Sequence, residues 1–238
     1  MSKVLITGGL GFIGRQVTQE LSGHGHKVRV LDALIEQVHA DAPPEISDAI
    51  EFIQGDVRDP AMVAKALDGV DAVVHLAAEV GVGQSQYEIA RYVGANDLGT
   101  AVLLEQMIGR PVRKIIVASS MSVYGEGIYE SEDGSRVFNA RRKPGDVRAG
   151  SWNPRSPQGG ALIPVPTDEQ KPVDLASIYA LTKYAQERQV LIFGEAYGVP
   201  AVALRLFNVF GPGQALSNPY TGVLANFASR LANGQRPT

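Results

Sequence analysis

TGGLGFIG, residues 7–14, is the stretch on which the reading of the fold turns. It follows a short apolar run rich in β-branched residues and leads straight into a segment with helical spacing. Its glycines at 8, 11 and 14 form a G-x-x-G-x-x-G pattern. Glycine allows a tight turn, lets the backbone approach a pyrophosphate, and permits close packing of helix on strand. Phe12 and Ile13 lie between the last two glycines, in the first helical turn, where free N–H groups face an anion. An ordinary βα turn is the competing reading. The strand before and helix after are the context that a dinucleotide-binding turn requires.

Outward from this turn, short β-branched runs alternate with longer amphipathic segments. Strands are expected over residues 3–7, 28–31, 51–54, 72–76, 114–118 and 201–206. Helices are expected over 12–22, 60–67, 86–108 and 175–197. Apolar strands alternating with helices predict an α/β fold of the Rossmann type, a doubly wound parallel sheet with helices on both faces. Residues 126–172 break the rhythm: they are rich in Gly, Pro, Ser and Arg and read as an irregular insertion. Within them, residues 136–155 hold five arginines and one lysine against Asp146 alone. That run suits either a solvated surface or a grip on an anionic substrate.

Asp32 closes the second expected strand, eighteen residues beyond Gly14. A carboxylate there accepts hydrogen bonds from ribose hydroxyls and repels a 2′-phosphate, which favours NAD over NADP. GDVRD, residues 55–59, puts Asp56 and Val57 just after the third strand, where Asp56 can meet an adenine amino group. HLAA, residues 75–78, ends the fourth strand with Leu76, Ala77 and Ala78 where a cofactor needs room. His75 reads as a packed strand residue.

The totals set limits. A formal net charge of −3 gives no reason to expect nucleic acid or an anionic membrane as partner. The chain has no cysteine, which excludes disulfides and thiolate-metal sites and fits a reducing compartment. No stretch reaches the length of a membrane span, and MSKVLITGG does not read as a signal peptide. A soluble, cytoplasmic protein is the expectation.

SIYALTK, residues 177–183, sets Tyr179 and Lys183 one helical turn apart on one face. With TGGLGFIG, Asp32, GDVRD, HLAA, NDLGT at 96–100, ASSMSVYG at 118–125 and RLFNVFGPGQ at 205–214, the chain resembles the extended short-chain dehydrogenase/reductases, specifically their NAD-dependent nucleotide-sugar epimerases and dehydratases. The resemblance covers essentially the whole chain. It implies Tyr179 as acid/base, Lys183 as its electrostatic partner and ribose ligand, and Ser120 as the hydroxyl that holds the reacting oxygen. It further implies that Asn96 and Ser119 border the cofactor, with strand-end satisfaction the competing role for Ser119. Gln84 and Ser85 would face the sugar, or else be exposed loop residues. Asn208 would bind the substrate diphosphate, and residues 216–224, Leu224 among them, would border the nucleobase. Arg205 reads as structural.

The reaction implied is narrower. Dehydratases of this type follow the catalytic hydroxyl residue with an Asp-Glu pair, whereas Met121 and Ser122 stand here. That disfavours elimination and favours 4-epimerisation through a transient 4-keto sugar, with a 4,6-dehydratase or a dehydrogenase as the alternative and a non-catalytic NAD sensor as a reading of another class. AEVGVGQSQYEI, PVPTDEQKP and LSNPYTGV are similar to a bacterial subgroup associated with dTDP-L-rhamnose 4-epimerase activity; UDP-glucuronate and UDP-glucose stay open as substrates. Members of that subgroup carry two C-x-x-C half-motifs in the insertion. Here Ser131 to Gly134 and Ser156 to Gly159 stand in those places, so zinc through these positions is impossible and no metal is expected. The insertion would then pack around Trp152, Leu162 and Ile163, or stay mobile until substrate binds. Residues 1–205 are expected to form the NAD-binding domain. Residues 206–238 would begin a nucleotide-sugar lobe that looks truncated. The helical segments 86–108 and 175–197 suit a homodimer interface.

Overall fold

The protein, seen in a computed structural model, is described over residues 1–39, 46–214 and 223–236. The elements run β1 (Lys3–Thr7), α1 (Phe12–Gly23), β2 (Lys27–Asp32), α2 (Glu36–His39), β3 (Glu51–Gln54), α3 (Pro60–Ala66), β4 (Ala72–His75), α4 (Val82–Ser85) and α5 (Ile89–Tyr92). A π-helical stretch, Val93–Leu98, then leads into α6 (Gly99–Met107) and β5 (Lys114–Ser120), followed by a 3₁₀ turn, Met121–Tyr124. After these come β6 (Ile128–Glu130), β7 (Arg136–Val137), α7 (Pro144–Arg148), β8 (Ile163–Val165), α8 (Ile178–Tyr197), β9 (Ala201–Leu206) and α9 (Val223–Ala232). They divide into two compact units, Met1–Ser120 with Ser177–Thr238, and Met121–Ala176.

The first unit is a six-stranded sheet in the order β3-β2-β1-β4-β5-β9, parallel throughout. The chain fills one side from β1 through β3, returns to β4 beside β1, and fills the other side. Strand order reverses between β1 and β4, and in such sheets the crevice beyond the strand ends at that point is where ligands sit. Alternation along each strand serves two cores. Val4, Ile6, Val28 and Val30 pack with Val17 and Leu21 of α1. Leu5, Leu31, Val73, Ile115 and Val117 pack with Val63, Leu103, Met107, Val190 and Phe193 of α3, α6 and α8. The expected doubly wound sheet is therefore the observed one. Among the described residues no helix is long and apolar enough to cross a membrane.

Caps explain several boundaries. Asp59 accepts from the N–H groups of Ala61 (2.9 Å) and Met62 (3.2 Å), with Pro60 opening α3. Ser177 caps α8 by accepting from Ala180 N–H at 3.0 Å, so that helix starts later than residue 175. The expected helix over 86–108 is observed as an unbroken run from Ile89 to Met107 that is π-helical over Val93–Leu98. A single separate turn, α4, precedes it, and the wider π turn breaks the 3.6-residue period. Strand β5 outruns its expected end at 118 because Ser119 and Ser120 pair with Arg205 and Leu206 of β9.

The second unit corrects the expectation of an irregular insertion. It holds a three-stranded antiparallel sheet, β7-β6-β8, over a small cluster of Tyr129, Ala140 and Leu162 with Val137. Leu162 is buried as expected, but Trp152 and Ile163 are 66% and 62% exposed, so neither is the centre of its core. Three arginines of the basic run are spent internally: Arg136 on Asp168, Arg141 on Asp174 and Arg142 on Glu126. The turn at Ser131 is closed by Asp133, which accepts from the Ser131 and Ser135 hydroxyls.

Candidate functional site

The glycine-rich turn lies at the switch point. Gly8 has φ +69°, and a Cβ there would meet the backbone N of Ala77 at 2.8 Å. A Cβ on Gly14 would meet Gly8 O at 2.2 Å. Thr7 O accepts from Leu76 N–H and Thr7 Oγ1 from Ala77 N–H, which fastens the turn to the residues after β4. Helix α1 begins at Gly11 with no side chain capping it. A cradle that any side chain would fill, facing an uncapped helix N-terminus, suits a pyrophosphate. Phe12 and Ile13 are half-buried in this first turn, as are Leu76, Ala77 and Ala78 across from it.

Asp32 is buried at the end of β2. It accepts from Leu10 N–H and Leu34 N–H, both at 3.0 Å, and His39 Nε2 lies 3.4 Å from its Oδ1. These bonds tie the acidic residue to the glycine turn and fix its rotamer. Asp56 sits where the sequence put it, but its carboxylate is gripped by the Arg58 guanidinium, whose hydrogen bonds hold its pKa below the usual range. The Val57 side chain belongs to the core, where Gly99 packs so closely that a Cβ would meet it at 2.6 Å.

Tyr179 and Lys183 occupy the first two turns of α8, both buried. The Tyr179 side chain hydrogen-bonds Ser120 at the end of β5, so two of the residues singled out in the sequence meet in space. Burial raises the phenol's pKa, and the Ser120 bond is the opposing influence. The Lys183 ammonium donates to Gln186 Oε1 at 2.7 Å, and burial lowers its pKa to about 7. Gln186 Nε2 in turn donates to Thr100 Oγ1 at 2.9 Å and to Ala77 O at 3.4 Å. Thr100 Oγ1 donates to Asn96 O at 2.6 Å and lies 2.9 Å from His75 Nε2. His75 Nδ1 lies 2.7 Å from Thr7 Oγ1, and Gln186 Nε2 also lies 3.2 Å from His75 Nε2, so the ring is held from both nitrogens.

Five residues singled out in the sequence turn inward. Asn96 accepts from Glu79 N–H and donates to Glu79 O and Thr182 Oγ1. Ser119 donates to Glu187 Oε2 (2.8 Å), which also holds Arg205, in keeping with a structural Arg205. Ser85 donates to Val82 O and accepts from Tyr179 N–H at 3.0 Å, pinning the start of α8. Gln84 bonds Gln37, Glu88 and Tyr92. Val57 turns inward likewise, and Gln84 and Ser85 are buried rather than exposed. Asn208 and Leu224 are exposed, and residues 216–222 of the expected nucleobase border lie outside the described residues. Residue-by-residue reading missed Gln186 and Glu187, although their spacing of three and four from Lys183 places them on its face. It also missed Arg15, which donates to Gly213 O at 2.6 Å and links α1 to the loop after β9.

Burial of His75 has a measurable consequence. Desolvation, with the Lys183 charge second, depresses its pKa from 6.5 to about 3. Above pH 6.5 the ring is neutral folded and unfolded, and its full contribution is present. Below that, the unfolded chain takes up a proton that the folded chain refuses, so stability falls as pH drops towards 3. Urea titrations at pH 7 and pH 5 should show a loss of about 2 kcal/mol that is absent from His75→Gln. An equal pH dependence in both proteins would refute it.

The sequence profile of the NAD dependent epimerase/dehydratase family matches residues 4–144 and 150–238. The chain belongs to that family. It is 36% identical over 240 residues to a dTDP-L-rhamnose 4-epimerase of Burkholderia thailandensis, covering 98% of this chain and 65% of that protein. Among solved structures, UDP-glucose 4-epimerase of Thermotoga maritima with UDP-glucose superposes with a TM-score of 0.75 at 29% identity, covering 98% of this chain and 64% of that one. UDP-glucose 4-epimerase of Thermus thermophilus in complex with NAD gives 0.73 at 29%, covering 98% and 63%. The chain thus spans about two thirds of the length of these relatives. The cofactor expected from Asp32 and the glycine turn is the one the family's description carries.

Proposed function

We propose that this chain holds NAD over the glycine turn and that the whole protein is a 4-epimerase of a nucleotide-diphosphate sugar. The observation that carries the reading is the buried Ser120–Tyr179 hydrogen bond with Lys183 one turn further along α8. NAD supplies a hydride acceptor that returns the hydride to the sugar. Gly8, Gly11 and Gly14, with the N–H groups of Phe12 and Ile13, take its pyrophosphate, and Asp32 its adenosine ribose. Tyr179, as phenolate, removes the C4 hydroxyl proton while Ser120 holds the oxygen; the carbonyl that forms is reprotonated by Tyr179 when hydride returns to the other face. Burial alone disfavours phenolate, so the Lys183 ammonium has to offset it. Met121 and Ser122 offer no carboxyl group for elimination, which favours epimerisation over dehydration within the family.

dTDP-L-rhamnose is the first-choice substrate, given the Burkholderia relative, with UDP-glucuronate and UDP-glucose next. Asn208 is assigned to the diphosphate, and tightly held NAD and a homodimer through the 89–107 and 178–197 helices complete the proposal. The test is to incubate the protein in its longest natural form with each sugar, without added reductant, and follow the anomeric protons by NMR. Epimerisation reaching one ratio from either epimer is expected for one of the three. Bound NAD with all three sugars unchanged would overturn the assigned reaction.

A further inference from the structure

Tyrosine, lysine and serine account for proton transfer, but none explains what fixes a buried ammonium beside them. Lys183 is 3% exposed. Its hydrogen-bond acceptor is Gln186 Oε1, at 2.7 Å, from a side chain with no exposed surface. The amide cannot turn over without losing its bonds, because its nitrogen is committed to Thr100 Oγ1 and Ala77 O. Thr100 is held by Asn96 O and by His75, and His75 by Thr7 at the mouth of the glycine turn. From Lys183 to Gln186, from Gln186 to Thr100 and from Thr100 to Asn96, each donor meets an oxygen acceptor.

We infer that Gln186 is a positioning residue, whose neutral, pre-oriented carbonyl oxygen fixes the Lys183 ammonium in place without cancelling its charge. A carboxylate in the same position would hold the ammonium equally well but neutralise the field on which a neighbouring phenolate depends. A neutral acceptor takes one ammonium hydrogen and leaves two for the phenol side and for a ribose. The other ionisable groups around the pair leave it as the source of positive charge. His75 is neutral, Glu187 is bound to Arg205 and Ser119, and Tyr92 meets Tyr179 edge-on with centroids 6.4 Å apart. The inference rests on the reading of Tyr179 and Lys183 as the proton-handling pair.

The test uses Gln186→Met, close to isosteric but without an acceptor, and Gln186→Glu, which keeps the acceptor and adds charge. In a chain labelled with 13C at lysine Cε, the Lys183 signal, assigned by its absence from Lys183→Met, reports the amine's midpoint directly. Gln186→Met should lower it by about one to two pH units, as expected for loss of a hydrogen bond to a charged group. Gln186→Glu should raise it. Ultraviolet difference titration against Tyr179→Phe should show the Tyr179 midpoint rising in both variants. A Lys183 midpoint unchanged in Gln186→Met overturns the inference, since a residue that only packs would give that result. A Lys183 midpoint that moves while Tyr179 stays fixed would keep Gln186 as the lysine's holder and sink the acid–base reading instead. Should Gln186→Met fail to fold, Gln186→Glu still decides: a Tyr179 midpoint that does not rise contradicts the need for a neutral acceptor.

Discussion

Tyr179→Phe is expected to cut turnover by about 10³-fold while leaving NAD affinity nearly unchanged. The Tyr179 ring is buried, its hydroxyl bonds Ser120 at the C-terminal end of β5, and its backbone N–H is fixed by Ser85. Phenylalanine retains the ring, and with it the edge-on contact to Tyr92 and the fill of the pocket, so the fold should survive. What it removes is the hydroxyl proposed to exchange a proton with the substrate. Kinetics on the epimerised sugar, beside NAD titration by calorimetry, make the measurement. Retention of a tenth or more of the activity would show that the proton leaves by another route. A protein that binds NAD but turns over none of the three sugars, with or without Tyr179, would favour the dinucleotide sensor over the enzyme.

The sheet and the cofactor end were legible because both depend on local rules. A parallel strand buried on two faces reads as an apolar run, and a turn with no room for Cβ must be glycine. The strands at 3–7, 51–54 and 201–206 fall where the pattern put them. The meeting of Ser120 with Tyr179 was readable only through resemblance, since nothing in the spacing says that β5 ends beside α8. What failed to show has a common cause: it depends on partners distant in sequence. Asn96, Ser85 and Ser119 are short polar residues that look equally fit for a ligand or for the backbone, and their partners Glu79, Tyr179 and Glu187 decided the matter. The π-helical stretch inside the 86–108 helix was not legible, because one wider turn leaves little mark in the apolar spacing. The three-stranded sheet of the second unit went unseen because strands of two or three residues carry too few positions for alternation to show.

Gly14→Ala should be the most destabilising single methyl in the protein's first unit. Its Cβ would stand 2.2 Å from Gly8 O and 2.6 Å from Gly9 Cα, and both obstacles are backbone rather than the tip of a flexible side chain. Neither can retreat freely. Gly8 is held by its N–H bond to Leu31 O and by contact with Ala77, and its φ of +69° leaves no other conformation that keeps the turn. Relief would therefore come from prising α1 off β1, which opens the core of Val4, Ile6, Val28 and Val30 against Val17 and Leu21. A cost of about 3 kcal/mol or more follows from overpacking with loss of that contact, against a total stability of about 5–15 kcal/mol for a domain. Gly23 provides the control within the same helix. No atom lies within 4 Å of a Cβ placed there, so alanine should be neutral or stabilise by up to about 1 kcal/mol through its helix propensity. Urea denaturation of the two variants beside the parent separates the cases. NAD affinity should fall with Gly14→Ala because the same displacement moves the N–H groups of the first helical turn. If Gly14→Ala unfolded at the parent's midpoint, the close approach of α1 to the turn, and the cradle built on it, would have to be abandoned.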